Sequence, residues 1–515
     1  MKFIHGPSTH ICATAALRTF GEEDGQSVVL ADRHTNRRLP SRTTTANPAS
    51  FASEPFQSIQ APLVLHLTPR AKMSPIKLEG TVEQFFGDEA VRNGDGRSPP
   101  AFIAYNPISD VDLMPWLPRN DRYLIQQWRP MGDLDCSPIT KLILMPQRMA
   151  WALGSMPVIF LRSNGKLDGQ SLFDEVEENV ARFSAAISLE QRFKGTVCDS
   201  MQRVEEATKG SQVMSFLPVD CFAETSPFFD PDTHYELQSK RALALSGLPT
   251  PPAQLVDFDL PEMGWTAESV EENIERAVHM IKIRAIPFAL KSNSSSGSKG
   301  VTLPASYGRK LSRITPLNAA LHPYSLILTE LLPGDAICLN FFVTGNGDAI
   351  FSSCCGQDMS ATNHWLGGTI RYSEQATLAD RYAGVLAETA RFLHSKGFRG
   401  PAGIDVMTGE DGVHQVIDLN PRLTGTFVLG CLRPHFAGEL GFDEAGLLPF
   451  LNFNGTRNEF ESTFEKEIQR GEVLVMAWCV DKSRSRSFTG LCIGAKDRAE
   501  RVRLAERIVS WVERR

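Results

Sequence analysis

Between residues 403 and 422 two runs of alternating apolar and polar residues, Gly403-Ile-Asp-Val-Met407 and Val416-Ile-Asp-Leu-Asn-Pro-Arg422, flank a Gly409-Glu-Asp-Gly412 turn. Alternation with period two around a glycine-bounded turn specifies a β-hairpin. An antiparallel register centred on residues 411 and 412 sets Asp405 opposite Asp418, with Cβ atoms about 5 Å apart. Asp418 and Asn420 then share one face, while Ile417 and Leu419 turn to the other with Ile404 and Val406. Carboxylates opposed across a ladder repel, and two of them beside an amide oxygen make a ligand set for a hard divalent cation. Magnesium, or manganese in its place, keeps few protein oxygens and takes the rest from water and phosphate. Asp405, Asp418 and Asn420 are therefore the expected metal ligands, with a nucleoside triphosphate completing the shell. Arg422, just beyond, can meet an anion bidentately. The same residues also read as a polar strand end, with Pro421 stopping the ladder and Arg422 in solvent.

A second feature precedes this hairpin. The buried-strand run Phe288 to Leu290 leads into Lys291-Ser-Asn-Ser-Ser-Ser-Gly-Ser-Lys-Gly300. Backbone N–H groups of such a small-residue loop can wrap phosphates, and the stretch reads equally as a flexible linker. It is not a Walker A loop, because Gly297-Ser298-Lys299 breaks the order that puts a lysine on the phosphates.

The 515 residues suggest about three domains at roughly 150 residues each. Residues 1–60 are rich in Ser, Thr, Ala and Arg and read as a disordered leader; Glu22, Glu23, Asp24 and Asp32 disfavour a mitochondrial presequence. From residue 99 to 230, short apolar runs such as Ala101 to Tyr105 and Pro157 to Leu161 alternate with helical spacing, as in an α/β layer domain. Asp232 to Gly247 reads as one helix capped by Asp232, and Thr266 precedes a second with Val270, Ile274, Val278 and Ile281 on one face. Strands are expected at 254–258, 326–329, 336–343 and 349–353, and a helix over 378–396. After residue 456 two strands, 473–479 and 488–493, precede a helix that turns Leu504, Ile508, Trp511 and Val512 inward.

With 53 basic against 60 acidic side chains the net charge is about −7, so no positive field exists to hold a nucleic-acid backbone. No run of 18 apolar residues occurs, which leaves no membrane-spanning candidate. The ten cysteines show no metal or redox spacing and read as reduced thiols, consistent with a cytoplasmic location.

Together these features resemble the ATP-grasp superfamily, of the carboxylate–amine ligase type, over residues 230–450; the overall texture is similar to ATP-grasp ligases of filamentous fungi. The resemblance implies an α/β (α+β) ATP-grasp fold with a preceding α/β domain over 99–230. A small subdomain with the phosphate loop would span 231–325, a large subdomain with the metal hairpin 326–455, and a strand–strand–helix extension 456–515. Lys291 looks like the lysine that touches the α- and β-phosphates, and Ser296, Gly297, Ser298 and Gly300 belong to the loop that closes over them. Ser239-Lys240, ahead of Gly247-Leu-Pro-Thr-Pro251, looks like the family's earlier phosphate-binding lysine. Thr329-Glu330-Leu-Leu332 matches the hinge that holds adenine, with Glu330 near its amino group and Leu332 among the nucleotide contacts. The pattern departs at Gly334-Asp-Ala336, where Ala336 stands at the place of a ribose-binding carboxylate.

What this resemblance implies is an enzyme that uses ATP and magnesium to activate a carboxylate as an acylphosphate and couple it to an amine. Lys291 and Arg422 would act on the transferring phosphoryl group. Small-molecule carboxylates and amines, amino acids among them, are the expected substrates, and homodimers are common in the superfamily. His364, Trp365, Gly367, Gly368 and Arg371 could touch the carboxylate, or form a structural loop. Two alternatives stay open: a nucleotide-binding regulatory protein without turnover, and a phosphotransferase.

Overall fold

Four short strands build a parallel sheet in the order Lys194–Cys198, Pro157–Leu161, Ala101–Ala104, Val213–Ser215. Near-continuous burial along Ala101–Ala104 and Pro157–Leu161 is what a parallel sheet covered on both faces requires. The computed structural model describes residues 74–93, 99–105, 116–118, 122–123, 140–162, 166–167, 170–171, 175–256, 287–294, 301–302, 326–360, 365–481 and 485–515, and residues 272, 275, 276, 279 and 283 singly. The leader, most of the helix expected after Thr266, His364, and Ser296, Gly297, Ser298 and Gly300 lie outside these residues.

A second, antiparallel sheet follows in the order Ala253–Val256, Leu326–Glu330, Phe288–Ser292, Val301–Thr302. The segment before it differs from the single helix expected over 232–247. Two short helices, Pro231–Leu237 and Lys240–Ala244, are separated at Gln238 and Ser239. Asp230, not Asp232, caps the first by accepting from the Thr233 amide, and Ser239 caps the second by accepting from Ala242. The break occurs because Ser239 leaves the helical region to become a cap, which restarts the helix at Lys240.

The largest sheet is antiparallel with eight strands: His414–Asn420, Gly400–Thr408, Ile337–Val343, Ala349–Met359, Trp365–Arg371, Glu444–Asn454, Arg486–Ala495 and Val473–Asp481. The two strands expected after residue 456 thus continue the sheet that carries the carboxylate hairpin. On one face Leu339, Phe341, Val343, Ile404, Val406 and Val416 pack against Tyr382, Leu386, Ala390 and Leu393 of helix Gln375–Ser395. Alternation along the strands turns Cys338, Asn340, Gly403 and Asp405 to the opposite face. Among the described residues no helix is long and apolar enough to cross a membrane.

The hairpin register contains one irregularity the alternation did not foresee. Thr408 pairs with His414 and Val406 with Val416, whereas Asp405 pairs with Asp418. Ile417 is the extra residue of a β-bulge, and Val416 takes the core-facing place expected for Ile417. The turn sets one register, with Gly409 donating to the Val413 carbonyl and Gly412 to Gly409. The bulge shifts it by one before the carboxylates meet.

Candidate active site

Asp405 and Asp418 are register partners, as expected, and Asn420 pairs with Gly403 one step along the same face. Cys338 of the neighbouring strand is Asp405's partner on the other side. Burial first, and then the facing Asp418 carboxylate, pushes Asp405 up to about 6; hydrogen bonds from Gln357 and Cys338 and the charge of Lys240 oppose the rise. Asp418 behaves oppositely: burial would raise it, yet Lys240, Lys291 and Arg422 hold it below the usual carboxylate range. Side chains set in such different surroundings divide one pair into a reluctant and a ready anion.

Three cations surround this pair. Lys240, buried at the start of its short helix, places its ammonium on the Asp418 carboxylate. Lys291, also buried, donates from Nζ to the Ile417 carbonyl at 2.8 Å. The bulge makes that bond available, since a regular ladder would occupy the carbonyl. Arg422 stacks its guanidinium over Phe216 at 4.7 Å, and its Nε is buried with no hydrogen-bond partner among the described residues. The backbone N–H groups of Lys240 and Arg241 bond the Asn293 carbonyl and Oδ1 at 2.8 and 3.0 Å, so the root of the Ser/Gly stretch is tied to the helix that carries Lys240. Lys240, Lys291, Ile327, Thr329, Val416 and Ile417 line one cavity between the small sheet and the hairpin. Glu330 ends its strand exposed, and neither it nor Leu332 lines that cavity.

The segment after Asn420 is held from two sides. Asn340, fully buried, donates through Nδ2 to Ser353 Oγ at 3.0 Å and Thr426 Oγ1 at 3.2 Å, while Thr424 donates to its Oδ1. His234 meets the Pro421 carbonyl at 2.9 Å. Arg371, for which substrate contact and a structural role were both open, pairs with Glu444 and Glu374, its strand lying beside Glu444–Asn454. Trp365 packs its ring over Gly425, where a Cβ would lie 2.9 Å from the ring.

The donor set suits a hard cation. Two facing carboxylates and a neighbouring amide offer oxygen, and among the described residues no group of three or more His, Cys, Asp or Glu side chains converges to offer more. Burial pushes the Cys338 thiol well above its ordinary value, so it stays protonated and adds no soft ligand. Of the residues sequence reasoning missed, Gln357 and Cys338 needed the strand order and His234 needed the tertiary packing; only the alternation of Cys338 with Asn340 was visible beforehand.

Residues 246–426 match the family model described as an ATP-grasp domain. Among solved structures, an ADP complex of purK, an N5-carboxyaminoimidazole ribonucleotide synthetase, is similar at 12% identity over 71% of this chain and 94% of that one, with a TM-score of 0.43. An N5-carboxyaminoimidazole synthetase from Staphylococcus aureus complexed with ADP is similar at 11% identity over 72% and 95%, TM-score 0.43. A phosphoribosylamine–glycine ligase from Thermotoga maritima is similar at 14% identity over 72% and 94%, TM-score 0.41. No protein of curated function matches the chain in sequence. Likenesses this distant carry no argument of their own; what the comparisons show is an ATP-grasp domain match at residues 246–426.

Proposed function

We propose that this protein is an ATP-dependent ligase that activates a carboxylate as an acylphosphate and joins it to an amine. The observation that carries the reading is the convergence of Lys240, Lys291 and Arg422 on the Asp405–Asp418 pair. In the reaction a carboxylate oxygen attacks the γ-phosphorus, the bond from that phosphorus to the β-phosphate oxygen breaks, and ADP leaves. The amine nitrogen then attacks the acyl carbon, phosphate leaves, and the nitrogen gives up a proton.

Both reactants of the first step are anions, so the task of the side chains is to neutralise charge gathering on the transferring group. Lys240 and Lys291 flank the cavity where a triphosphate would run, and the Arg422 charge interacts with the same carboxylates. Asp405, Asp418 and Asn420 would hold magnesium, which would offset the negative charge of the phosphates. The Ser/Gly loop, Ser296, Gly297, Ser298 and Gly300 included, would exclude water from the acylphosphate. The hinge at Glu330 and Leu332 would receive adenine.

The test is ADP release from the full-length protein with magnesium, ATP and a panel of carboxylates and amines supplied pairwise. Release that requires both an acid and an amine is expected. ATP binding without release for any pair would support the regulatory reading in its place, and stable phosphoprotein the phosphotransferase one.

A further inference from the structure

His234 is 7% exposed and sits on helix Pro231–Leu237 with its ring between Phe229, at 5.5 Å and nearly perpendicular, and Phe398, at 6.3 Å. Its Nε2 lies 2.9 Å from the carbonyl oxygen of Pro421. A carbonyl only accepts, so Nε2 carries the proton and donates. Burial, with the Arg422 charge adding to it and the Pro421 bond opposing, brings the imidazole down to about 4, so near neutral pH the ring is uncharged.

The carbonyl it holds belongs to the peptide that joins Pro421 to Arg422. The Arg422 amide donates back to the Asn420 carbonyl at 2.7 Å, closing a three-residue turn around Pro421. Proline fixes φ in that turn. What remains to be set is the plane of the next peptide, and its carbonyl is the atom His234 grips. On the far side Asn340 anchors Thr424 and Thr426. The chain that carries Arg422 is therefore pinned before and after it, by side chains from different elements. The segment bearing His234 also delivers Lys240 to Asp418 six residues later.

We propose that His234 is a positioning residue for Arg422: its Nε2–H bond to the Pro421 carbonyl orients the turn from which the guanidinium reaches the reacting phosphoryl group. The inference rests on the ligase reading for what Arg422 does, and on geometry alone for where it stands. A misplacement of about 1 Å in such a group can cost on the order of a hundredfold in rate.

The experiment compares His234→Phe, which keeps the ring and loses the donor, with His234→Gln, whose amide N–H can reach the same carbonyl. Expected are a kcat within about threefold of wild type for the glutamine variant and a fall of roughly ten- to a hundredfold for phenylalanine, with KM for ATP within about twofold in both. Wild-type kcat in His234→Phe, or an equal fall in both variants, overturns the proposal. Should His234→Phe not fold, His234→Asn replaces it, since its shorter amide cannot span the gap; equal rates for Gln and Asn then overturn it. Crystal structures of the variants decide the matter without turnover. Arg422 stacked on Phe216 in His234→Gln and displaced from it in the variant lacking the bond supports the role, and Arg422 unmoved in the latter refutes it even if no substrate pair releases ADP and the ligase reading fails.

Discussion

Asp405 and Asp418 face each other across adjacent strands, yet only Asp418 is met directly by a cation, the Lys240 ammonium. Asp405 is hydrogen-bonded by the neutral Gln357 and Cys338, and burial with the facing Asp418 charge pushes its carboxyl up in spite of them and of Lys240. Removing either charge should therefore act on stability in opposite directions. Asp405→Asn relieves a like-charge pair and is expected to raise the metal-free unfolding free energy by up to about 1 kcal/mol. Asp418→Asn strands a buried lysine and is expected to cost about 1–3 kcal/mol, less than for a fully buried pair because the Asp418 side chain is 27% exposed. Both variants should lose magnesium-dependent turnover. Urea unfolding in the presence of a chelator reads the first part, and equal shifts of the same sign would show that the asymmetry is not real.

The pairing of these carboxylates was legible in residues 403–422 because strand alternation and a glycine-bounded turn leave little freedom. The bulge at Ile417 was not, since nothing in an apolar residue flanked by apolar residues says which one is extra. The break at Ser239 was hidden for a related reason: a serine inside a helical pattern can be tolerated or can become a cap, and tertiary contact with Asn293 decides. Nothing local to His234 or Arg371 announces their partners Pro421 and Glu444, which arrive from elsewhere in the chain. Local pattern located the carboxylates and the family resemblance the lysines; the long-range partners that tune them lay beyond the reach of either.

Lys291 gives the proposed nucleotide site a pH signature. Burial brings its ammonium down to about 8, with Lys240 adding to the fall while Asp418 and Asp405 oppose it. Charge on the lysine favours phosphate binding, so ATP affinity should be level below about pH 7 and fall above pH 8 by up to about tenfold per pH unit. Above about pH 8, where the fall is expected, ATP is fully ionised and contributes no opposing change. Lys291→Arg keeps its charge and should flatten the curve. Calorimetric titrations from pH 6.5 to about 9.5 check this, and a flat wild-type profile would remove Lys291 from the phosphates.

Acid should weaken the fold through His234. Its folded value is about 4 against an ordinary value of 6.5. Between those limits the unfolded chain takes up a proton that the folded chain refuses, so stability rises with pH across the window and is lost as pH falls through it. The full difference is worth roughly 3 kcal/mol. His234→Gln has no proton to gain and should lose about 2–3 kcal/mol less than wild type between about pH 7.5 and 4.5. Parallel stability curves for the two proteins would mean that the imidazole is not buried neutral.

The outer strand of the large sheet, Val473–Asp481, shows why residues after 456 cannot be an independent addition. An edge strand presents unpaired N–H and C=O groups that must be covered or solvated. Here Gln147 Oε1 accepts from the Trp478 amide at 2.8 Å, Asn179 donates to the Trp478 carbonyl at 3.1 Å, and Trp151 Nε1 donates to the Met476 carbonyl at 3.2 Å. All three partners come from the segment carrying the parallel sheet, so this strand joins that layer to the hairpin's sheet. Gln147→Leu would leave the Trp478 N–H buried and unanswered, at a cost of about 1–2 kcal/mol. The loss is moderated because Gln147 Nε2 is itself buried with no partner among the described residues, and its removal relieves a second unmet group. Ending the chain at residue 455 would do far more: it strips Arg486–Ala495 from its partner Glu444–Asn454 and bares Trp151, now 1% exposed. The shortened protein is expected to aggregate or to melt without a cooperative transition. A soluble product with a wild-type melting curve would mean instead that the eight-stranded sheet is stable without its last two strands.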